Sequence, residues 1–196
     1  MGTNCARPPM RIAIAPAASD EAPIVSGLLM EAAEWLRVCG HEMWLSHEVS
    51  VERVAPDVEM GSFLVARMGM IPVGVVKYQT SDELFWPDVA SNSSSFIHRL
   101  AVARSWSGRG ISTALIDYAA DLARRDGREW LRLDCSSERA QLRNFYERVG
   151  FRHCGFRQVN EWHVALYERP TIPLIADVRG GHSSGRPCRS EKRSAT

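Results

Sequence analysis

The residues best placed to do chemistry form the stretch SGRGIS, Ser107 to Ser112, between a strand-like run ending at Val102 and an apolar helical pattern. A helix start offers unpaired backbone N–H groups and the positive end of a dipole, so a glycine-containing turn there can hold a pyrophosphate without many basic side chains. Gly108 and Gly110 let the backbone approach phosphate oxygens closely, while Arg104 and Arg109 can add charge-assisted contacts. Alone, such a Gly-x-Gly turn is as often a packing turn. Its spacing argues against two common nucleotide loops: Thr113 stands where GxGxxG needs its third glycine, and GxxxxGK[ST] fails for want of a lysine.

The elements that must position this loop can be read from periodicity. Ile12 and Ile14 alternate with Ala13 and Ala15 in a short strand closed by Pro16. Ser19 or Asp20 can cap a helix with Pro23 in its first turn, in which Val25, Leu28, Leu29, Ala32 and Leu36 recur up to Gly40. Phe63 to Arg67 and Val73 to Tyr78 suit an antiparallel hairpin around Gly69, with Pro72 and Gly74 weakening the start of its second strand. Residues 79 to 95, carrying Asp82, Glu83, Trp86, Pro87 and a serine-asparagine cluster, read as a long surface loop. A strand run from Phe96 to Val102 leads into the glycine loop, and Ile111, Ala114, Leu115, Tyr118, Ala119 and Leu122 then fill one helical face as far as Gly127. Trp130 to Cys135 is another strand run. Leu142, Phe145, Tyr146 and Val149 mark a helix that Gly150 terminates, and Phe151 to Gln158 and Trp162 to Tyr167 give two closing strands. This order indicates a mixed α/β sheet covered by helices.

Composition narrows the setting. The chain of 196 residues is long enough for one well-buried core, read as a domain over 10–173 with a loose N-terminal leader at 1–9 and a polar, disordered tail at 174–196. Twenty-four basic against twenty-three acidic side chains give no electrostatic reason to expect nucleic acid as a partner. No run of roughly 18 apolar residues argues for a membrane span. Five widely spaced cysteines without a CxxC pair or a metal-ligand grouping fit a reduced, cytoplasmic setting with no metal.

From His98 to Phe156 the sequence resembles the GNAT superfamily of N-acetyltransferases, in which a strand reading LAV leads into a QxxGxG/A or RxxGxG/A loop. LAV is Leu100 to Val102; Ser107 stands at the Gln/Arg position, Gly110 at the first fixed glycine and Ser112 at the final Gly/Ala. Downstream, NFYERVGF at 144–151 matches the superfamily's Tyr before a Gly-Phe pair, although Arg139 stands where an Asn is usual. With the N-terminal strand, helix and hairpin, the resemblance covers roughly residues 10 to 170.

The resemblance implies an α/β fold with a single mixed, mainly antiparallel sheet of about seven strands and helices on both faces. It implies acetyl-CoA as co-substrate, with the pantetheine arm on the backbone of Leu100, Ala101 and Val102 and the pyrophosphate on Ser107, Gly108, Arg109, Gly110, Ile111, Ser112 and Thr113. A backbone N–H of that strand would stabilise the oxyanion, and holding both reactants together supplies proximity. Tyr146 is the implied proton donor to the leaving thiolate; a packed core tyrosine is its other reading. An alkyl amine with a pKa of roughly 10 must lose a proton before it attacks. His98 and Asp134 are candidate acceptors, with a structural histidine and an Asp134–Arg132 ion pair as the competing and better-supported roles. The acidic and aromatic loop around Asp82, Glu83, Phe85, Trp86 and Asp88 is open to two readings, a face for a cationic amine or a solvated loop, the second slightly favoured. Trp35 and Trp44 divide similarly between acceptor pocket and core, with core favoured. The expected acceptor is a small-molecule amine, and a protein N-terminus or lysine, or a non-catalytic acyl-CoA sensor, is the alternative. Neither nucleic acid nor membrane is expected as a partner, and the chain is expected as a monomer or homodimer.

Overall fold

In the computed structural model, residues 11–41 and 43–172 are described; the leader and tail expected from the sequence lie outside them. Strand β1 (Ile12–Pro16) is followed by helix α1 (Ala22–Val38), a 3₁₀ turn at Ser46–Val49 and helix α2 (Val51–Glu59). Then come β2 (Phe63–Met68), β3 (Ile71–Gln79), β4 (Ser94–Val102), a 3₁₀ turn at Arg104–Trp106, α3 (Ile111–Arg125), β5 (Trp130–Ser136), α4 (Ala140–Arg148), β6 (Arg152–Val159) and β7 (Trp162–Pro170). The seven strands form one sheet in the order β1-β2-β3-β4-β5-β7-β6. The β1–β2, β2–β3, β5–β7 and β6–β7 pairs run antiparallel and β4–β5 runs parallel, which is the mixed sheet expected.

The described residues divide into two compact units, one made of residues 11–77 with Arg99–Leu115, the other of Tyr78–His98 with residues 116–172. In the first, Val25, Leu28 and Leu29 of α1 and Val54 and Val58 of α2 bury against Phe63, Val65 and Val75 of the hairpin. The α2 pair is spaced i, i+4, so both side chains fall on one helix face. This helix has no counterpart in the sequence reading. Pro56 lies inside it, where a proline normally argues for a break, and burial of the flanking valines outweighs that local signal.

Helix α1 starts later than its expected cap. Glu21, not Ser19 or Asp20, is the N-cap residue. Its carboxylate accepts the Ala18 N–H at 2.9 Å and pairs with Arg67 of β2, so the helix entry is fixed by a partner remote in sequence. Gly74, expected to weaken β3, is instead required there. A Cβ at this position would lie 3.0 Å from Ile111 Cγ2 and 3.1 Å from the Ala101 carbonyl oxygen, and the strand passes through it with a register shift between Ala66 and Arg67 of β2.

In the second unit, Trp86, Phe96, Val164 and Leu166 make a separate apolar cluster with Phe85, Val89 and Cys154 packed against it. Residues 79–95 are thus not a wholly solvated loop: Trp86 is buried, and Ser94 and Ser95 belong to β4.

Candidate active site

Within the first unit, β4 ends at Val102 and the chain turns through Arg104–Trp106 into the glycine loop, whose residues 107–110 are all exposed. Gly108 and Gly110 have φ of 76° and 78°, and neither has an atom within 4 Å of where a Cβ would be. Both therefore occupy the left-handed region that glycine enters without a steric cost, beside open space. The first helical bond of α3 runs from the Ala114 N–H to the Gly110 carbonyl at 3.0 Å. The N–H groups of Ile111, Ser112 and Thr113 consequently lie before the ladder begins, at the positive end of a helix of 15 residues. These donors, the exposed loop and its glycines fit a pyrophosphate. Ile111 contributes only its backbone, because its side chain is buried.

The flanking aromatic and basic residues interleave. Arg109 lies over the Trp106 ring at 4.8 Å and Arg104 over the Trp35 ring at 3.7 Å, while the Arg104 N–H donates to Glu31 of α1 at 2.9 Å. Trp35 is 41% exposed, so its place is beside the loop arginine and not in the core, unlike Trp44, which packs partly buried against the core. Of the strand residues, Ala101 is buried, and Leu100 and Val102 are half-buried.

Within the second unit, β4 and β5 pair in register from Ser94 opposite Trp130 to Phe96 opposite Arg132. Just past this register His98 stands between two carboxylates: its Nε2 is 3.4 Å from Asp82 Oδ2 and its Nδ1 is 3.7 Å from Asp134 Oδ1. The carboxylates are largely enclosed, with side-chain exposures of 7% for Asp82 and 12% for Asp134. Both of the facing oxygens are buried and lack a hydrogen-bond partner among the described residues. Burial first, and the neighbouring Asp82 charge second, push the Asp134 carboxyl up to about 7. The ion pair expected between Asp134 and Arg132 is not formed. Arg132 instead donates through Nε and Nη2 to Glu168 of β7 at 3.2 and 3.0 Å, and Arg152 binds the other oxygen of the same buried carboxylate. The three residues Asp82, His98 and Asp134 also bring one possible ligand atom each within 4.8 Å. The carboxylates face opposite ring nitrogens, an arrangement for passing a proton, whereas one ion would take a single imidazole nitrogen.

Tyr146 of α4, 8% exposed, is ringed by Phe145, Phe151 and Tyr167 at centroid distances of 5.4, 5.8 and 6.1 Å. Burial, and then the nearby Cys135 and Asp134, raise its hydroxyl well above the usual phenol value, so it keeps its proton throughout the neutral range. Arg139, at the position where an Asn is usual, is the N-cap residue of α4. Two residues of the aromatic and acidic loop are held by arginines of the neighbouring strands: the Arg132 guanidinium lies over Trp86 at 5.1 Å and Arg157 pairs with Asp88 at 2.6 Å. Asp82 was legible in the sequence only as a loop acid; its pairing with His98 spans a loop whose path the sequence does not reveal.

Comparison with known proteins gives concordant results. Residues 28–151 match the model of the acetyltransferase (GNAT) family. An uncharacterized N-acetyltransferase of Bacillus subtilis, YesJ, is 29% identical over 146 residues, covering 71% of this chain and 81% of that protein. A GNAT-family acetyltransferase of Listeria monocytogenes has a similar structure, with a TM-score of 0.69 at 22% identity over 81% of this chain and 94% of its own. The PaiA N-acetyltransferase of Thermoplasma acidophilum, solved with coenzyme A, has a TM-score of 0.65 at 15% identity over 82% of this chain and 99% of its own.

Proposed function

The chain belongs to the GNAT family of acetyltransferases, and from that premise we propose that it moves an acetyl group from acetyl-CoA to the primary amine of a small molecule, a metabolite or an antibiotic. It is an acyl-CoA N-acyltransferase with acetyl-CoA as its co-substrate. The observation that carries the reading is the exposed loop with open space at Gly108 and Gly110, feeding the free N–H groups at the start of α3. Ser107, Gly108, Arg109, Gly110, Ile111, Ser112 and Thr113 would hold the pyrophosphate, mainly by backbone donors, and the backbone of Leu100, Ala101 and Val102 would hold the pantetheine arm. When bound, acetyl-CoA supplies the activated acyl group. The residues of the chain orient it and handle the protons.

Proton removal from the amine falls to His98 and Asp134. An alkylammonium ion has a pKa near 10, so an ordinary aspartate lies about 6 pH units below it as a proton acceptor. Asp134, at about 7, halves that gap, and near neutral pH a large fraction of it is ionised. The imidazole between the two carboxylates gives the proton a way out of the enclosed site. Tyr146 presents its hydroxyl proton to the departing sulfur. A thiol titrates near 8.5 and a free phenol near 10, so complete transfer from a phenol raised further by burial is uphill. Tyr146 therefore acts chiefly as a hydrogen-bond donor, and the enclosed ring stack supports that role by holding the hydroxyl in one place.

The small acceptor is favoured over a protein chain by the low exposure of Asp82 and Asp134, which suits an amine that enters alone. No helix among the described residues is long and apolar enough to cross a membrane, and we assign the enzyme to the cytoplasm. Calorimetric titration with acetyl-CoA tests the first half of the reading. A one-to-one binding heat is expected, and its absence would remove the loop from any role in acetyl transfer. Binding without turnover on any amine would instead favour a non-catalytic acyl-CoA sensor.

A further inference from the structure

Arg99 has a left-handed backbone, with φ of 50°, although it lies within β4. A non-glycine residue held there is strained, and such strain clusters at functional sites, where a side chain must be aimed. The guanidinium it aims is half-buried, and its Nη1 is buried without a hydrogen-bond partner among the described residues. The charged groups of the first unit that act on it are Asp57 of α2 and Glu48 of the preceding turn, which favour its charge, and Arg53 of α2, which opposes it. Both carboxylates are already engaged. Asp57 Oδ2 takes the Lys77 ammonium at 2.7 Å, and Glu48 Oε2 accepts the Leu45 N–H at 2.8 Å. Of the two carboxylates that favour its charge, one thus holds Lys77 and the other a backbone N–H, and the Arg99 Nη1 edge has no partner among the described residues.

An arginine does not relieve this by losing its proton, and an unmet buried N–H is costly. A further carboxylate fitted to the fork would satisfy both the charge and the donor. We propose that Arg99 recognises a carboxylate on the acceptor, so that the preferred substrate is an amino acid or a related amine bearing a carboxylate, not a simple alkylamine. This rests on the acetyl-transfer reading and names the substrate class for it. The coenzyme's phosphates are a second source of anionic oxygens, but they are assigned to residues 107–113, and the test separates the two.

The experiment measures kcat/KM for matched acceptors that differ only by the carboxylate: L-lysine against cadaverine, L-methionine against 3-(methylthio)propylamine, and L-phenylalanine against phenethylamine. A site whose buried donor is left unpaired by the decarboxylated partner should discriminate by about 10²-fold or more in at least one pair. In Arg99→Gln that ratio should fall to near 1 through a rise in acceptor KM, with the acetyl-CoA KM unchanged, and Arg99→Lys should lie between. The wild-type ratio needs no variant to fold. Equal turnover of both members of every pair overturns the proposal, and so does an Arg99→Gln variant whose acetyl-CoA KM rises while the acceptor ratio persists. If no member of any pair is acetylated while other amines are, the substrate class is wrong; if no amine of any kind releases thiol, the acetyl-transfer reading itself falls and takes this one with it.

Discussion

Replacing Asp134 by asparagine should stabilise the protein at alkaline pH while impairing acetyl transfer. The folded-state value of about 7 stands against an ordinary value of 3.8, so between those pH values the native protein binds more protons than the unfolded chain. Stability therefore falls as pH rises through that window; the contribution is complete below the unfolded value and gone above about 7. Each pH unit separating the folded and unfolded values corresponds to about 1.4 kcal/mol, which puts the ceiling over the whole window at about 4 kcal/mol and over the part above pH 5 at about 3 kcal/mol. Local relaxation and water entry reduce this, and we expect about 2 kcal/mol. An asparagine has a similar shape and no charge to desolvate, so the variant escapes the loss. Urea denaturation of both proteins at pH 5 and pH 8.5 measures the effect: the variant should gain about 2 kcal/mol relative to wild type between the two conditions, or about 4–8 °C in Tm for a chain of this size. A difference between variant and wild type that is the same at both pH values would show that Asp134 carries no raised titration and would remove the argument for it as a proton acceptor.

Three further outcomes follow from the same geometry. Asp82→Asn removes the second cause of the raised Asp134 value and leaves burial, the larger one, so the acid limb of the kcat/KM profile should move down by about 1 pH unit; an unmoved limb would separate Asp82 from the proton path. Tyr146→Phe keeps the ring stack and removes the hydroxyl, and it should lower kcat by about 10- to 100-fold with the acetyl-CoA KM unchanged; undiminished turnover would make Tyr146 a core residue only. Gly110→Val puts a β-branched residue at φ of 78°, which should cost about 1–2 kcal/mol of stability and raise the acetyl-CoA KM at least tenfold, and unaltered affinity would show that the phosphates bind elsewhere.

The parts of this molecule legible in its sequence are those governed by neighbours along the chain. The hairpin at Gly69, the loop glycines ahead of α3 and the apolar face of α4 ending at Gly150 each depend on local backbone freedom or on helical spacing. What was not legible depends on contacts across the sheet. Arg132 has Asp134 two residues away on the same face, but the antiparallel β5–β7 register sets it opposite Glu168, a carboxylate 36 residues distant with two arginines to share. That pairing leaves Asp134 to His98 and Asp82. Trp86 looked exposed because its neighbours are polar and turn-forming, whereas Phe96, Val164 and Leu166 supply an apolar surface that only the folded strands assemble. Helix α2 was hidden by Pro56, and the cap of α1 by an acid whose partner lies on β2.

We propose acetyl transfer from acetyl-CoA to a small amine, with the proton of that amine leaving through His98 and Asp134. Free thiol released from acetyl-CoA, followed against a panel of amino acids, simple amines, aminoglycosides and peptides, tests it most directly. Thiol release should depend on a small amine, with a rate rising with pH through about 7 and a product heavier by one acetyl group. Release of no thiol above the hydrolytic background with every amine, from a protein shown to be folded, would contradict it.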